Sequence, residues 1–133
     1  MSNTFADVAV IGVGGRTGRA LVNALSRAGI KVRALIHREA QRELFPQLVD
    51  FELIELGDRK SLTKGLHNVA AAYYIPPVYA SSEEEFAVNV IEAAVQNHLP
   101  RLIYHSVLHS GTPGMPHHVR KSQVELSPFA NLR

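Results

Sequence analysis

The chain has 133 residues, enough for one domain that buries its own hydrophobic core. Apolar residues make up 46% and charged residues 20%, and the formal charge of +2 comes from basic residues scattered along the chain, which argues against a nucleic-acid binder. The absence of cysteine excludes disulfides and thiolate metal sites and fits a cytoplasmic protein; no apolar run is long enough to cross a bilayer, and the first residues carry no signal-peptide pattern.

In chain order, Asp7-Val-Ala-Val-Ile11 ends in an apolar run that stops at glycine, which predicts a strand buried on both faces of a parallel sheet. Leu21, Val22, Leu25 and Ala28 recur at helical spacing, so residues 17–28 are expected as a helix, with Gly29 at its C-terminal cap. Val32 to Ile36 is a second strand. Residues 38–48 are mostly helix-forming, and Pro46 must end or kink that helix.

Phe51 to Leu56 is a third strand, followed by Gly57-Asp58, and Ser61 to Leu66 is a short helix. Val69 to Ile75 is a fourth strand, stopped by Pro76-Pro77. Ser81-Ser82-Glu83-Glu84-Glu85 is a strong helix start, with a hydroxyl cap and acids in the first turn, and that helix runs to about Asn97. Arg101 to Val107 is a fifth strand. A loop rich in Gly, Pro and His leads to a last helical segment, about His117 to Leu126, closed by Pro128.

Strand and helix therefore alternate about five times. This predicts an α/β fold, a doubly wound, Rossmann-like parallel sheet of about five strands with helices on both faces, forming a single domain over residues 1–133. Ligands in such sheets bind at the carboxyl ends of the strands. The loops at 12–18, 37–38, 57–58, 75–77 and 106–117 all fall on that edge.

The first of these loops reads Gly12-Val-Gly-Gly-Arg-Thr-Gly18, with Gly12, Gly15 and Gly18 spaced G-x-x-G-x-x-G. The first glycine allows a tight turn out of the strand, the second close approach of a pyrophosphate, and the third close packing of helix on sheet. The following helix adds free N–H groups and the positive end of its dipole. A ligand-free glycine turn is the plainer reading. The strand before and the helix after supply the context that dinucleotide binding requires.

The second strand ends Leu35-Ile36-His37-Arg38. An acid in this place binds the ribose 2′-OH of NAD, whereas Arg38 could pair with a 2′-phosphate, and Arg16 could approach the same phosphate. NADP(H) is thus the preferred cofactor and NAD(H) the alternative. Both arginines have a plain surface reading, and Glu39 could pair with Arg38 instead.

Other constellations carry less. His105, His109, His117 and His118 cluster in sequence without an acid or cysteine among them and match no common zinc spacing, so no metal site is expected. Ser106, flanked by His105 and Val107, lacks the G-x-S-x-G elbow of a hydrolase. Glu83-Glu84-Glu85 reads as a favourable first helical turn, Tyr73 and Tyr74 as sheet packing, and Tyr79 as a candidate contact in a Pro-rich loop.

Taken together, the glycine loop, Val32–Arg38, Gly57-Asp58, the helix 88–95, the strand 101–107 and His117-His-Val-Arg-Lys-Ser-Gln-Val-Glu125 resemble the N-terminal part of NmrA-like proteins. That family is an atypical branch of the short-chain dehydrogenase/reductase superfamily, and the resemblance covers nearly the whole chain. It implies a Rossmann fold that binds NADP(H), with Gly12, Gly15, Arg16, Thr17 and Gly18 on the pyrophosphate and Arg38 on the 2′-phosphate. Asp58 would meet the adenine, and the loop around Ile75 and Pro76 would pass the ribose and nicotinamide.

Catalytic members of the wider superfamily use Tyr-x-x-x-Lys with an upstream serine. Lys121 and Ser106 match that pattern, but the tyrosine position is His117. The resemblance thus implies one of two functions. One is an oxidoreductase that passes hydride to a small acceptor such as a quinone, with Lys121 on the ribose and Ser106 or His117 polarising the acceptor. The other is a non-catalytic redox sensor that acts through a protein partner. Relatives continue past the lysine helix, so the substrate-covering region is expected to be missing from this chain, and a bare sheet edge is expected to favour self-association.

Overall fold

All five strands of the sheet run parallel, in the order β3-β2-β1-β4-β5. The computed structural model describes residues 5–46, 48–77 and 82–105. The strands are β1 (Ala6–Ile11), β2 (Val32–Ile36), β3 (Asp50–Leu53), β4 (Val69–Tyr74) and β5 (Arg101–Tyr104). The helices are α1 (Arg16–Arg27), α2 (Arg59–Gly65) and α3 (Glu83–Gln96). β1 sits at the centre, between β2 and β4, because it is the strand that can be apolar on both sides: Ala9, Val10 and Ile11 are at most 1% exposed.

Two cores follow from this arrangement. On one face, Val10, Ala34 and Ile36 of the sheet pack with Val22 of α1, and Leu21, Leu25 and Phe45 border them. On the other, Ile11, Leu35, Ala72, Tyr74 and Leu102 pack beneath Leu62 of α2 and Val90, Ala93 and Ala94 of α3. Helices thus cover both faces, as a doubly wound sheet requires.

The expected helix over 38–48 is instead a 3-10 helix, Glu39–Leu44. It has no apolar stripe to hold a longer helix to the sheet: Leu44 is 39% exposed, and Phe45 already has extended backbone ahead of Pro46. β3 is shorter than the predicted 51–56. Ile54 still donates its N–H to the Ile36 carbonyl at 2.7 Å, but Glu55 turns its N–H to Ser61 Oγ at 2.9 Å, so the ladder ends. That turn lets Asp58 cap α2 by accepting the Lys60 N–H at 3.0 Å, and the helix begins at Arg59, earlier than its apolar residues suggest.

Ser82 holds the N-cap position of α3, but with φ −96° and ψ 21°, and its hydroxyl makes no cap hydrogen bond. The predicted end of the fifth strand and the helix over 117–126 lie outside the described residues, as does Tyr79.

One charged residue of the sheet is fully buried. It is Arg33, in β2. Its Nε donates to Asp50 Oδ2 at 3.0 Å, and its Nη1 donates to the carbonyls of Gly65 at 2.9 Å and His67 at 2.6 Å. The guanidinium thereby ties the end of α2 to two strands and satisfies carbonyls that a helix C-terminus leaves open.

Candidate functional site

The carboxyl ends of β1, β2, β3 and β4 surround a cavity of about 670 Å3. Its position is the one the topology dictates: β1 leads to α1 on one face and β4 to α3 on the other, so the chain parts between the two central strands and leaves a crevice.

The glycine loop forms one wall. Gly12 has φ +97°, and a Cβ there would overlap the Ile75 carbonyl oxygen. The turn out of β1 therefore lies directly on the segment after β4, which is held by the Ile75 N–H donating to the Ile11 carbonyl at 2.9 Å. Gly18, in the first turn of α1, is buried so tightly that a Cβ would overlap the Gly12 carbonyl oxygen and stand 2.7 Å from Val13 Cα. Gly15, the N-cap of α1, has nothing within 4 Å of where a Cβ would be. The loop is thus closed on its protein side and open on its cavity side. The first-turn N–H groups of α1, which no carbonyl within the helix can reach, stand at the open side.

The second wall comes from β2 and the residues after it, with His37, Arg38 and Gln41 lining the cavity. Glu39 makes its ion pair with Arg42, Nε to Oε2 at 2.6 Å, and not with Arg38. That hydrogen bond and the charge of Arg42 hold the Glu39 carboxyl below its ordinary pKa. Among the described residues, no acid is bonded to Arg38.

Ile54, Glu55, Leu56 and Gly57 after β3, and Ile75, Pro76 and Pro77 after β4, complete the wall, with Phe86 of α3. The cavity lining therefore carries two cations, Arg16 in the glycine loop and Arg38 on the second wall, one acid, Glu55, and the apolar side chains of Leu35, Ile54, Leu56 and Phe86.

Of the residues expected to hold a cofactor, Gly12, Gly15, Arg16, Thr17, Gly18, Arg38, Ile75 and Pro76 line this one cavity. Asp58 stands beside it, following Gly57, with Oδ1 already engaged in capping α2. Ser106, His117 and Lys121 lie outside the described residues.

Gln41, Leu56 and Phe86 were missed by sequence reasoning. In the sequence, Phe86 reads only as one apolar residue of its helix. Gln41 had no signal beyond its position three residues after Arg38, the spacing of a side chain that turns back on a helix start.

Beyond the cavity, Tyr73 and Tyr74 lie in β4 as expected of sheet residues. Tyr73 OH is 2.8 Å from Nδ1 of His105. Tyr74 is fully buried, its hydroxyl has no hydrogen-bond partner among the described residues, and burial followed by the nearby Glu83 carboxylate pushes its pKa up. Glu83 is only 2% exposed and accepts from Tyr104 OH at 3.4 Å, so the first of the three acids is a buried group rather than a solvated one.

Solved structures with the same fold include the NADPH-dependent quinone oxidoreductase of Escherichia coli complexed with NADPH, at TM-score 0.83 and 22% identity over 94% of this chain and 45% of that one. Another is the Citrobacter sp. triphenylmethane reductase complexed with NADP(H), at TM-score 0.80 and 18% identity over 93% of this chain and 45% of that one. A third is the UDP-N-acetylglucosamine 4-epimerase of Bacillus cereus, at TM-score 0.72 and 16% identity over 90% of this chain and 48% of that one. The chain spans less than half the length of each. No curated protein sequence matches it. The NmrA-like family model matches residues 5–127, and with the parallel sheet and its glycine-walled crevice in place, the chain belongs to the NmrA-like family.

Proposed function

We propose that this domain binds NADP(H) in the crevice and serves hydride transfer to a small acceptor such as a quinone. The observation that carries the reading is the pairing of a glycine cradle with Arg38 on the facing wall, unclaimed by Glu39. A cavity closed to any Cβ at Gly12 and Gly18 but open at Gly15 fits a pyrophosphate held by backbone N–H groups. The guanidinium of Arg38, with Arg16 beside the loop, fits the 2′-phosphate that distinguishes NADP(H). The volume lies within the range of cofactor sites.

In this reading Gly12, Gly15, Thr17 and Gly18 hold the pyrophosphate. Leu56 and Phe86 offer an apolar seat for the adenine, and the second carboxylate oxygen of Asp58 is the group proposed for its amine. Ile75 and Pro76 border the ribose and nicotinamide. A bound NADPH supplies the hydride. By family resemblance Lys121 is assigned to the ribose, and Ser106 or His117 to polarising the acceptor. The quinone oxidoreductase and triphenylmethane reductase named above, both bound to NADP(H), support this choice.

A second reading, a redox sensor that binds NADP(H) without turnover and acts through a protein partner, is favoured by histidine at position 117 in place of the catalytic tyrosine. Calorimetric titration with NADPH and NADH, followed by assay of NADPH oxidation against a panel of quinones, separates the two. Tight NADPH binding with turnover supports the oxidoreductase, and tight binding without turnover supports the sensor. Failure of both nucleotides to bind refutes both.

A further inference from the structure

We propose that Gln41 is a positioning residue that sets the preference for NADPH over NADH by clasping the glycine loop to the loop that carries Arg38. The inference rests on the NADP(H) reading above and deepens it.

Gln41 is 4% exposed, although its neighbours from Arg38 to Ala40 and from Arg42 to Leu44 are all exposed. The side chain is buried because it is used at both ends. Its Oε1 accepts two backbone N–H groups, from His37 at 2.9 Å and from Arg38 at 3.3 Å. Its own N–H donates to the Arg38 carbonyl at 3.0 Å, so both peptide groups of Arg38 are tied to this one residue. The opposite end of the amide, Nε2, lies against Gly14, so close that a Cβ at position 14 would overlap it.

This accounts for a glycine that the G-x-x-G-x-x-G spacing does not require. Gly14 has no positive φ to demand glycine, and among the described residues its only crowding is from Gln41. Nε2 is the end of a flexible chain, but its partner atom Oε1 is anchored twice. A methyl group at position 14 therefore displaces the whole amide from His37 and Arg38.

The consequence is specific to the 2′-phosphate. A free arginine loses much of its rotational freedom when it grips a phosphate with two N–H groups, and a fixed backbone reduces what remains to be ordered. Gln41 fixes Arg38 relative to the start of α1, where the pyrophosphate would be held. NADH lacks the 2′-phosphate and gains little from that alignment.

The test uses the whole chain, with folding of each variant checked by far-UV circular dichroism, and calorimetric titration with NADPH and NADH. For Gln41→Ala we expect NADPH affinity to fall about tenfold while NADH affinity stays within about threefold. Gly14→Ala is expected to reproduce that loss of preference. In the Gln41→Ala background, the same substitution is expected to add nothing, because the group it would displace is gone.

A Gln41→Ala variant that weakens both nucleotides equally, or neither, overturns the proposal while leaving the NADP(H) reading intact. So does a Gly14→Ala effect that adds independently of Gln41. If Gln41→Ala does not fold, Gly14→Ala alone decides: a retained NADPH preference overturns the clasp, and a lost preference supports it. Wild-type protein that binds neither nucleotide fails the NADP(H) reading itself, and the selectivity role falls with it.

Discussion

Arg33 offers the sharpest test of how this fold is held together. Arg33→Met keeps most of the aliphatic stem and removes the guanidinium. The bonds lost include one to Asp50, which is 37% exposed, and two to the carbonyls of Gly65 and His67. Water can reach Asp50, so its loss costs under about 1 kcal/mol. The Gly65 carbonyl is buried, and leaving it without its donor costs about 1–3 kcal/mol, with a smaller cost at the half-buried His67 contact. The substitution is therefore expected to cost about 2–5 kcal/mol, or roughly 6–15 °C in Tm for a chain of this size. The chain has no tryptophan, so urea unfolding followed by far-UV circular dichroism is the assay. Asp50→Asn keeps a hydrogen-bond acceptor but leaves the fully buried guanidinium without its carboxylate, so it should destabilise as well. A Met variant within about 0.5 kcal/mol of wild type, or an Asn variant indistinguishable from wild type, would refute this account.

Three further outcomes follow from named atoms. Tyr74→Phe removes a buried hydroxyl that has no partner among the described residues, so stability at neutral pH should hold or rise by up to about 1 kcal/mol. Its raised pKa has a definite sign: above about pH 10 the unfolded chain loses the tyrosine proton first, so wild-type stability falls there, and the Phe variant should fall less steeply in alkaline denaturation. Gly18→Ala should cost about 1–3 kcal/mol and abolish nucleotide binding, since its Cβ meets the Gly12 carbonyl, whereas Gly15→Ala, with open space around it, should cost only the weaker N-cap, under about 1 kcal/mol. Arg38→Ala should lower NADPH affinity about 10- to 100-fold with little effect on NADH, and equal loss for both would remove Arg38 from the 2′-phosphate.

The strands were legible because parallel sheets bury both faces and leave apolar runs, as in Val8–Ile11 of β1 and Ala34–Ile36 of β2. The glycine loop was legible because its spacing reports backbone contacts made within a few residues. What the sequence hid depends on partners far along the chain. Arg33 looks like a charge that belongs in solvent until β3 and the end of α2 bring it one carboxylate and two carbonyls. Glu83 belongs to an acidic triplet that suits any helix start, and only packing against Tyr104 shows it inside. The segment after Arg38 had good helical propensity but no apolar face, so propensity alone overstated it. Phe86 was legible as apolar but not as facing a crevice, because which side of α3 meets the sheet depends on where β4 ends.

The contact between Gly12 and the Ile75 carbonyl also bears on the order in which the molecule takes shape. β1 emerges before β4 during synthesis, yet half of its hydrogen-bonding edge belongs to β4, with Ala6 opposite Val69 and Ile11 opposite Tyr74. Pairing with β2 can form earlier, across a single helical crossover. Closure against β4 must wait for some sixty more residues and carries the loop-closure entropy of that span. During synthesis the crevice therefore cannot be complete until β4 is available. A nascent chain that has not yet released residue 75 has the glycine turn but lacks the wall it rests on, and a ligand that bridges the two would favour the completed sheet over every earlier intermediate.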